Sequence, residues 1–224
     1  MRIITRVELG LRAPRRPPLR IPTPTRTWLH HTAGPGTDAA AVRAVQAWHM
    51  DGRGWSDIAY PVLVGDGQVY EGRGALVDHL TADPIGSFVL CLMGNRHTHP
   101  VPRADIDAAA WLLAHALLSG WTTSPILGGH RDIPGTPWTA CPGDHGIAAI
   151  PAINTGAERI IRSLTALEDP TMFIARRPDN HYELTDGFAR RPFRDWSEMI
   201  KYRDKLGLRV IDLSHAEFDQ IRPR

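Results

Sequence analysis

Residues 27–32 read TWLHHT, an extended apolar run that ends on two adjacent histidines, and residues 125–130 read PILGGH, a second short run that ends on another. Side chains alternate across a strand, so His30 and His31 point to opposite faces and at most one of them serves a given site. The loop that follows His130, RDIPGTPWTACPG, brings Cys141 in a Gly/Pro-rich setting. Two imidazoles and one thiolate form a set that zinc accepts in a catalytic site, with a fourth position left for water. Either half alone reads more simply as a packed or hydrogen-bonded core residue; the two together point to a metal.

The elements around these two stretches alternate. After AGPG, TDAAAVRAVQAWHMDGRG (37–54) has apolar positions at helical spacing, an Asp near its start and Gly52 near its end. YPVLVGDGQVYEGRG (60–74) reads as a hairpin turning at Asp66-Gly67. SFVLCLMG (87–94) reads as a buried central strand, and PRADIDAAAWLLAHALLSG (102–120) as a long helix begun by acidic residues and stopped at Gly120. TGAERIIRSLTALE (155–168) is expected to be a closing helix. Strands alternating with helices imply an α/β domain around one sheet. Ahead of it, APRRPPLRIPTPT is too proline-rich for a helix or a central strand and predicts an extended, solvated lead-in over residues 1–28. Past Asp169-Pro170 the pattern restarts: MFIARR, HYELTD and FARRPF are short strand-like runs, and WSEMIKYRDKLG and SHAEFDQIR are helical. The expected organisation is therefore a lead-in (1–28), a main domain (29–169) and a small C-terminal α+β module (170–224), binding or oligomerising in role.

Composition narrows the function classes. With 224 residues, 42% of them hydrophobic, the chain can bury one good core with residues to spare for a small appendage. No apolar run approaches the roughly 18 residues that span a bilayer, and the arginines at the start precede no apolar signal core, so a cytoplasmic origin is expected. The net charge of +2 is unevenly spread: residues 1–28 hold seven arginines against Glu8, while residues 29–170 carry eight basic and fourteen acidic side chains. No nucleic-acid motif accompanies the basic start. Lys201 and Lys205 stand against 24 arginines, a bias that fits a GC-rich genome. Cys91, within FVLCLM, reads as a small buried hydrophobe, leaving Cys141 as the reactive cysteine.

With these pieces placed, residues 3–165 resemble the type-2 N-acetylmuramoyl-L-alanine amidases, the family shared by phage endolysins and peptidoglycan recognition proteins. The likeness rests on the order and spacing of ITRVELGLR, LHHTA, WH, RGWSDIAY, GDGQVYEGRG and GHRDIPGTPWTACPG. It implies a single mixed β-sheet flanked by helices. It implies His30, His130 and Cys141 as zinc ligands, Tyr60 as a residue assisting at the metal water or the oxyanion, and Thr139 near the scissile carbonyl. Some amidases carry a catalytic Glu in the strand where this chain has Cys91, which argues for the Tyr60 variant of the mechanism. VDHLTADPIGSF departs from the usual stretch after the hairpin, with His79 as a substrate contact, and Trp138 is a candidate to stack on a sugar face.

The chemistry follows from the residues as well. Zinc held by two imidazoles and a thiolate lowers the pKa of its water from about 16 toward about 7, and a hydroxyl from Tyr60 or Thr139 serves the oxyanion. The expected activity is hydrolysis of the amide between N-acetylmuramic acid and L-alanine in peptidoglycan, carried out as a phage endolysin made in the host cytoplasm and acting on the wall. Neither nucleic-acid binding nor membrane insertion is expected. Two alternatives stand beside it: a peptidoglycan-binding protein without activity, against which Cys141 argues, and a cysteine peptidase pairing Cys141 with His130 and oriented by Asp132, which leaves His30 unexplained.

Overall fold

The computed structural model describes residues 1–78, 86–136, 139–165, 173–176, 182–185, 189–192, 210–212 and 222–223. The chain divides into two compact units, Met1–Ile161 and Arg162–Arg224.

In the first unit six strands form one sheet: β1 (Ile3–Ile4), β2 (Arg26–His31), β3 (Val62–Gly65), β4 (Gln68–Glu71), β5 (Ser87–Leu92) and β6 (Leu127–Gly129), in the order β1-β4-β3-β5-β2-β6. Only β3 and β4 run antiparallel, as the Asp-Gly hairpin requires; Asp66 and Gly67 take φ of 49° and 67°, the pair of positive values a two-residue turn of this hand needs. Every other pair is parallel, which makes the sheet mixed. β5 lies between β3 and β2 with all six residues buried, and this accounts for its unbroken apolar sequence.

The helices are α1 (Arg6–Leu9), α2 (Ala39–Ala47), α3 (Arg103–Leu118) and α4 (Asp144–Thr165). Period-two alternation sorts β5 between two cores. Phe88, Leu90 and Leu92 join Leu29 and the α3 residues Ala108, Leu112 and Leu113 on one face. Cys91 joins Leu63, Met93, Leu9 of α1 and Val42 of α2 on the other. Each fully buried leucine contributes about 1.5–3 kcal/mol. α2 begins at Asp38, whose carboxylate accepts the Ala41 amide at 2.8 Å, and runs on into a π turn over Trp48–Gly52.

Two elements differ from the sequence expectation. α4 starts at Asp144 rather than near Thr155, and passes through Pro151. That proline is exposed, while Ala149, Ile153 and Ala157 recur on the buried side of the helix and outweigh the lost hydrogen bond. Asn154 of α4 also pairs with the β6 backbone, accepting from Leu127 N at 3.0 Å and donating to Leu127 O at 3.2 Å, and so covers an otherwise open sheet edge.

Residues 1–28 are extended where their prolines require it, yet they run along the domain rather than into solvent. β1 pairs with β4, and α1 is held by a reciprocal Thr5–Glu8 cap and by the burial of Leu9. Arg12 exchanges two hydrogen bonds with Gln46, Arg15 N donates to Ser56 O at 2.7 Å, and Leu19 N donates to Asp78 at 2.7 Å. Amide donors between the prolines find acceptors on the domain, which a solvated arm does not need.

In the second unit five strands form a separate sheet: β7 (Phe173–Arg176), β8 (Tyr182–Thr185), β9 (Ala189–Pro192), β10 (Val210–Asp212) and β11 (Arg222–Pro223), ordered β10-β7-β8-β9-β11. β7, β8 and β9 match the three expected strand-like runs. WSEMIKYRDKLG lies outside the described residues, as does SHAEFDQIR apart from Arg222.

Candidate metal centre

His30 is the penultimate residue of β2, paired with β5 and one residue past the last β2–β6 pair. Its parallel neighbour across β5 is Cys91, so both side chains leave the sheet on the α2 face. His130 opens a short 3-10 turn, His130–Asp132, straight after the sheet-edge strand β6; the Asp132 carboxylate accepts the Gly129 amide at 2.9 Å and steadies that turn. Cys141 is tied back to the turn by a 2.9 Å bond from Arg131 N to its carbonyl, and its own amide donates to the Thr139 hydroxyl at 3.2 Å.

These three segments converge. The rings of His30 and His130 stack at 4.2 Å with 26° between their planes, and one ligand atom from each of His30, His130 and Cys141 lies within 4.8 Å of the others. Both histidines are buried and Cys141 is half-buried. Burial pushes the Cys141 thiol up, but hydrogen bonds from His130 and His30 more than offset it and bring it down to about 7. A soft donor set of two imidazoles and a readily ionised thiol fits zinc. Among the described residues it is the one cluster of three such groups.

Tyr60 stands beside the set. Its ring centroid is 5.9 Å from that of His30, and its hydroxyl donates to the His31 carbonyl at 3.4 Å. The same hydroxyl bonds the Cys91 thiol, which burial pushes well above its usual range with the help of the nearby Cys141. Cys91 is therefore both the buried residue expected and a floor under the site. Thr139 is half-buried in the Cys141 loop; accepting the Cys141 amide leaves its hydroxyl proton available for a further acceptor.

The other histidines have structural surroundings. His31 faces away from the set, as strand alternation requires; its Nδ1 accepts the Arg96 amide at 3.0 Å, and burial pushes it down to about 4. His49 accepts the Ala59 amide at 3.2 Å, stacks on Trp55 at 4.8 Å and is likewise held down at about 4 by burial. His97 and His99 are exposed, with His97 edge-on to His31 at 4.8 Å. His115 stacks on Trp111 in α3. His79 and Trp138 lie outside the described residues. Asp132, the orienting group of a peptidase reading, has its carboxylate engaged with the Gly129 amide.

Two features escape a sequence reading. One is a groove of about 720 Å³ that starts at Thr32, directly after the two histidines, and runs past Pro35, Ala40, Ala44 and Val45 to Trp48. Its lining does not include the three candidate ligands. The run of small residues in TAGPGTDAAA is the signal for it, since small side chains on a loop and a facing helix leave space between them. At its far end Trp48 is 53% exposed, and the Arg53 guanidinium lies 4.4 Å from the centre of its ring. The other is a buried Arg96–Asp105 ion pair at 2.9 Å behind the site.

Residues 21–144 match the family model described as N-acetylmuramoyl-L-alanine amidase. Over 124 residues the chain is 42% identical to peptidoglycan-recognition protein SC2 of Drosophila simulans, a match spanning 51% of this chain and 66% of the fly protein's own length. It is 36% identical over 139 residues to a pig (Sus scrofa) N-acetylmuramoyl-L-alanine amidase, covering 57% of this chain and 23% of that one. Among solved structures, that of Drosophila peptidoglycan recognition protein SD superimposes with a TM-score of 0.62 at 31% identity, over 67% of this chain and 93% of the fly chain.

Proposed function

The chain belongs to the N-acetylmuramoyl-L-alanine amidase family, and from that premise we propose that it is a zinc-dependent amidase that cleaves the bond between N-acetylmuramic acid and L-alanine in bacterial peptidoglycan. The observation that carries the reading is the meeting of His30, His130 and Cys141 with ligand atoms within 4.8 Å of one another. When bound by these residues, zinc supplies an acidified water and a Lewis acid for the amide carbonyl.

The chain's own residues do the rest. Tyr60, beside His30 and anchored on the His31 carbonyl, is placed to turn its hydroxyl to the developing oxyanion. Thr139, within the Cys141 loop, offers a second hydroxyl to the same carbonyl. The groove from Thr32 to Trp48 begins two residues past His30 in the chain and takes a neighbouring part of the glycan or its stem peptide, with the Trp48 ring as an apolar platform.

We place this activity in a phage endolysin, made in the host cytoplasm and reaching the wall once the membrane is breached. The separate C-terminal unit and the arginine-rich, lysine-poor composition support that setting, and the latter favours an actinobacterial host. Among the described residues no helix is long and apolar enough to cross a membrane.

The experiment is digestion of purified walls with zinc-loaded protein, followed by mass spectrometry. Free lactyl carboxylates on muramic acid and new L-alanine amino termini are expected, and both should vanish with a chelator and in Cys141→Ala. Tight wall binding without either product would point instead to a recognition protein, a reading favoured by the name of the fly relative. Cleavage that survives chelation but not thiol blocking would restore the cysteine peptidase.

A further inference from the structure

The three candidate ligands arrive on three chain segments, and ordinary backbone bonds join two sides of that triangle. β2 pairs with β6 through Leu29 and Gly129, each one residue short of a histidine ligand. Arg131 N bonds the Cys141 carbonyl at 2.9 Å and joins the His130 turn to the cysteine loop. The third side, between the end of β2 and the cysteine loop, is closed by Arg96.

Arg96 reaches both segments with its backbone. Its amide donates to His31 Nδ1 at 3.0 Å, on the face of β2 opposite His30. Its carbonyl accepts the His145 amide at 3.1 Å, at the start of α4. Gly143, which follows Cys141-Pro142, lies flat against it at a φ of 82°; a Cβ there would fall 2.5 Å from the Arg96 carbonyl carbon and oxygen.

The side chain holds that backbone still. It is buried at 3% exposure, and its guanidinium donates to Asp105 at 2.9 Å, to the Pro100 carbonyl at 2.9 Å and to the Met93 carbonyl. Asp105, in the first turn of α3, also accepts the amide of Gly67 at the hairpin tip, at 2.8 Å. A planar fork meets several acceptors in fixed directions, which a lysine ammonium on its flexible stem does not reproduce.

We propose that Arg96 is a positioning residue for the metal centre, setting the separation of His30 from Cys141 by clamping the end of β2 and the loop after Cys141 against one rigid backbone. The inference rests on the metal-site reading above. It makes two substitutions outside the ligand set act on metal binding: Arg96→Lys, which loosens the clamp from within, and Gly143→Ala, which pushes the cysteine loop away from it while leaving the guanidinium contacts in place.

The test compares both variants with the unaltered protein by chelator competition for zinc, by the thiolate-to-cobalt charge-transfer band of the cobalt-loaded form, and by thermal unfolding without metal. Zinc binding about tenfold or more weaker is expected in both, with a displaced cobalt band, on a fold that still unfolds cooperatively without metal at a lowered midpoint. Unaltered affinity and band in both variants overturn the proposal. If Arg96→Lys does not fold, Gly143→Ala decides alone: weakened zinc binding on an intact fold upholds the clamp, and unaltered binding overturns it. Failure of the unaltered protein itself to bind zinc or cobalt would instead strike the metal-site reading.

Discussion

At the scale of single residues, the proposed site separates groups placed to hold a metal from groups placed to react. Tyr60 touches His30 by its ring and the His31 carbonyl by its hydroxyl, so Tyr60→Phe removes one donor and keeps the packing. Zinc content should therefore stay as it is and the thermal midpoint fall only slightly, while turnover on wall fragments falls roughly 100- to 1000-fold, the usual cost of losing an oxyanion donor. Steady-state kinetics check this; unchanged turnover would return Tyr60 to packing alone. The trio that the structure brings together, His30, His130 and Cys141, was picked out in the sequence by strand alternation, the Cys141 loop and the family resemblance, which chose His30 over His31. Arg96 was not legible. It meets Asp105, His31 and Gly143 only because β5 turns back into α3 beside the cysteine loop, and no local pattern announces such a meeting.

Among the elements, those with a strong local signal were read correctly: the Asp66-Gly67 hairpin, the apolar β5 and the long α3. α4 was expected only from Thr155, whereas the helix starts at Asp144, passes through Pro151, a residue that ordinarily breaks one, and buries Ala149, Ile153 and Ala157. This conflict gives a prediction. An interior proline costs a helix about 3 kcal/mol through its missing donor and its ring, while its stiffening of the unfolded chain returns at most about 1 kcal/mol. Pro151→Ala should thus stabilise the metal-free first unit by about 2 kcal/mol, read as a higher denaturant midpoint by tryptophan fluorescence. A lower midpoint would mean that the proline shapes the helix in a way its neighbours depend on. The four-residue α1 is the opposite case: far too short to stand alone, it exists through its Thr5–Glu8 cap and the burial of Leu9.

For the molecule as a whole, the sequence conveyed a mixed-sheet domain followed by a small module but misjudged the treatment of the start. The proline-rich run looks solvated because prolines lack donors; the amide of Arg12 just before it and those of Arg15 and Leu19 between its prolines bind it to Gln46, Ser56 and Asp78. The second unit has its own five-stranded sheet, and all three candidate ligands precede it. If it acts by tethering, ending the chain at Glu168 should leave hydrolysis of small soluble muropeptides nearly intact and weaken attack on whole walls by up to roughly 100-fold. Parallel assays on the two substrates measure it. A shortened chain that loses zinc or fails to fold would make the unit part of the catalytic body.

The place of β6 has a consequence in time. It is the last strand of its sheet to be synthesised, and it inserts beside β2, one of the earliest. His130 and Cys141 reach His30 only once that long loop has closed, a step that is slow because its entropy is spent before its contacts form. A growing or half-folded chain thus offers isolated histidines and a lone thiol but no finished chelate. Metal capture by the three candidate ligands would come at the end of this sheet's assembly, and a bound ion would hold that closure shut.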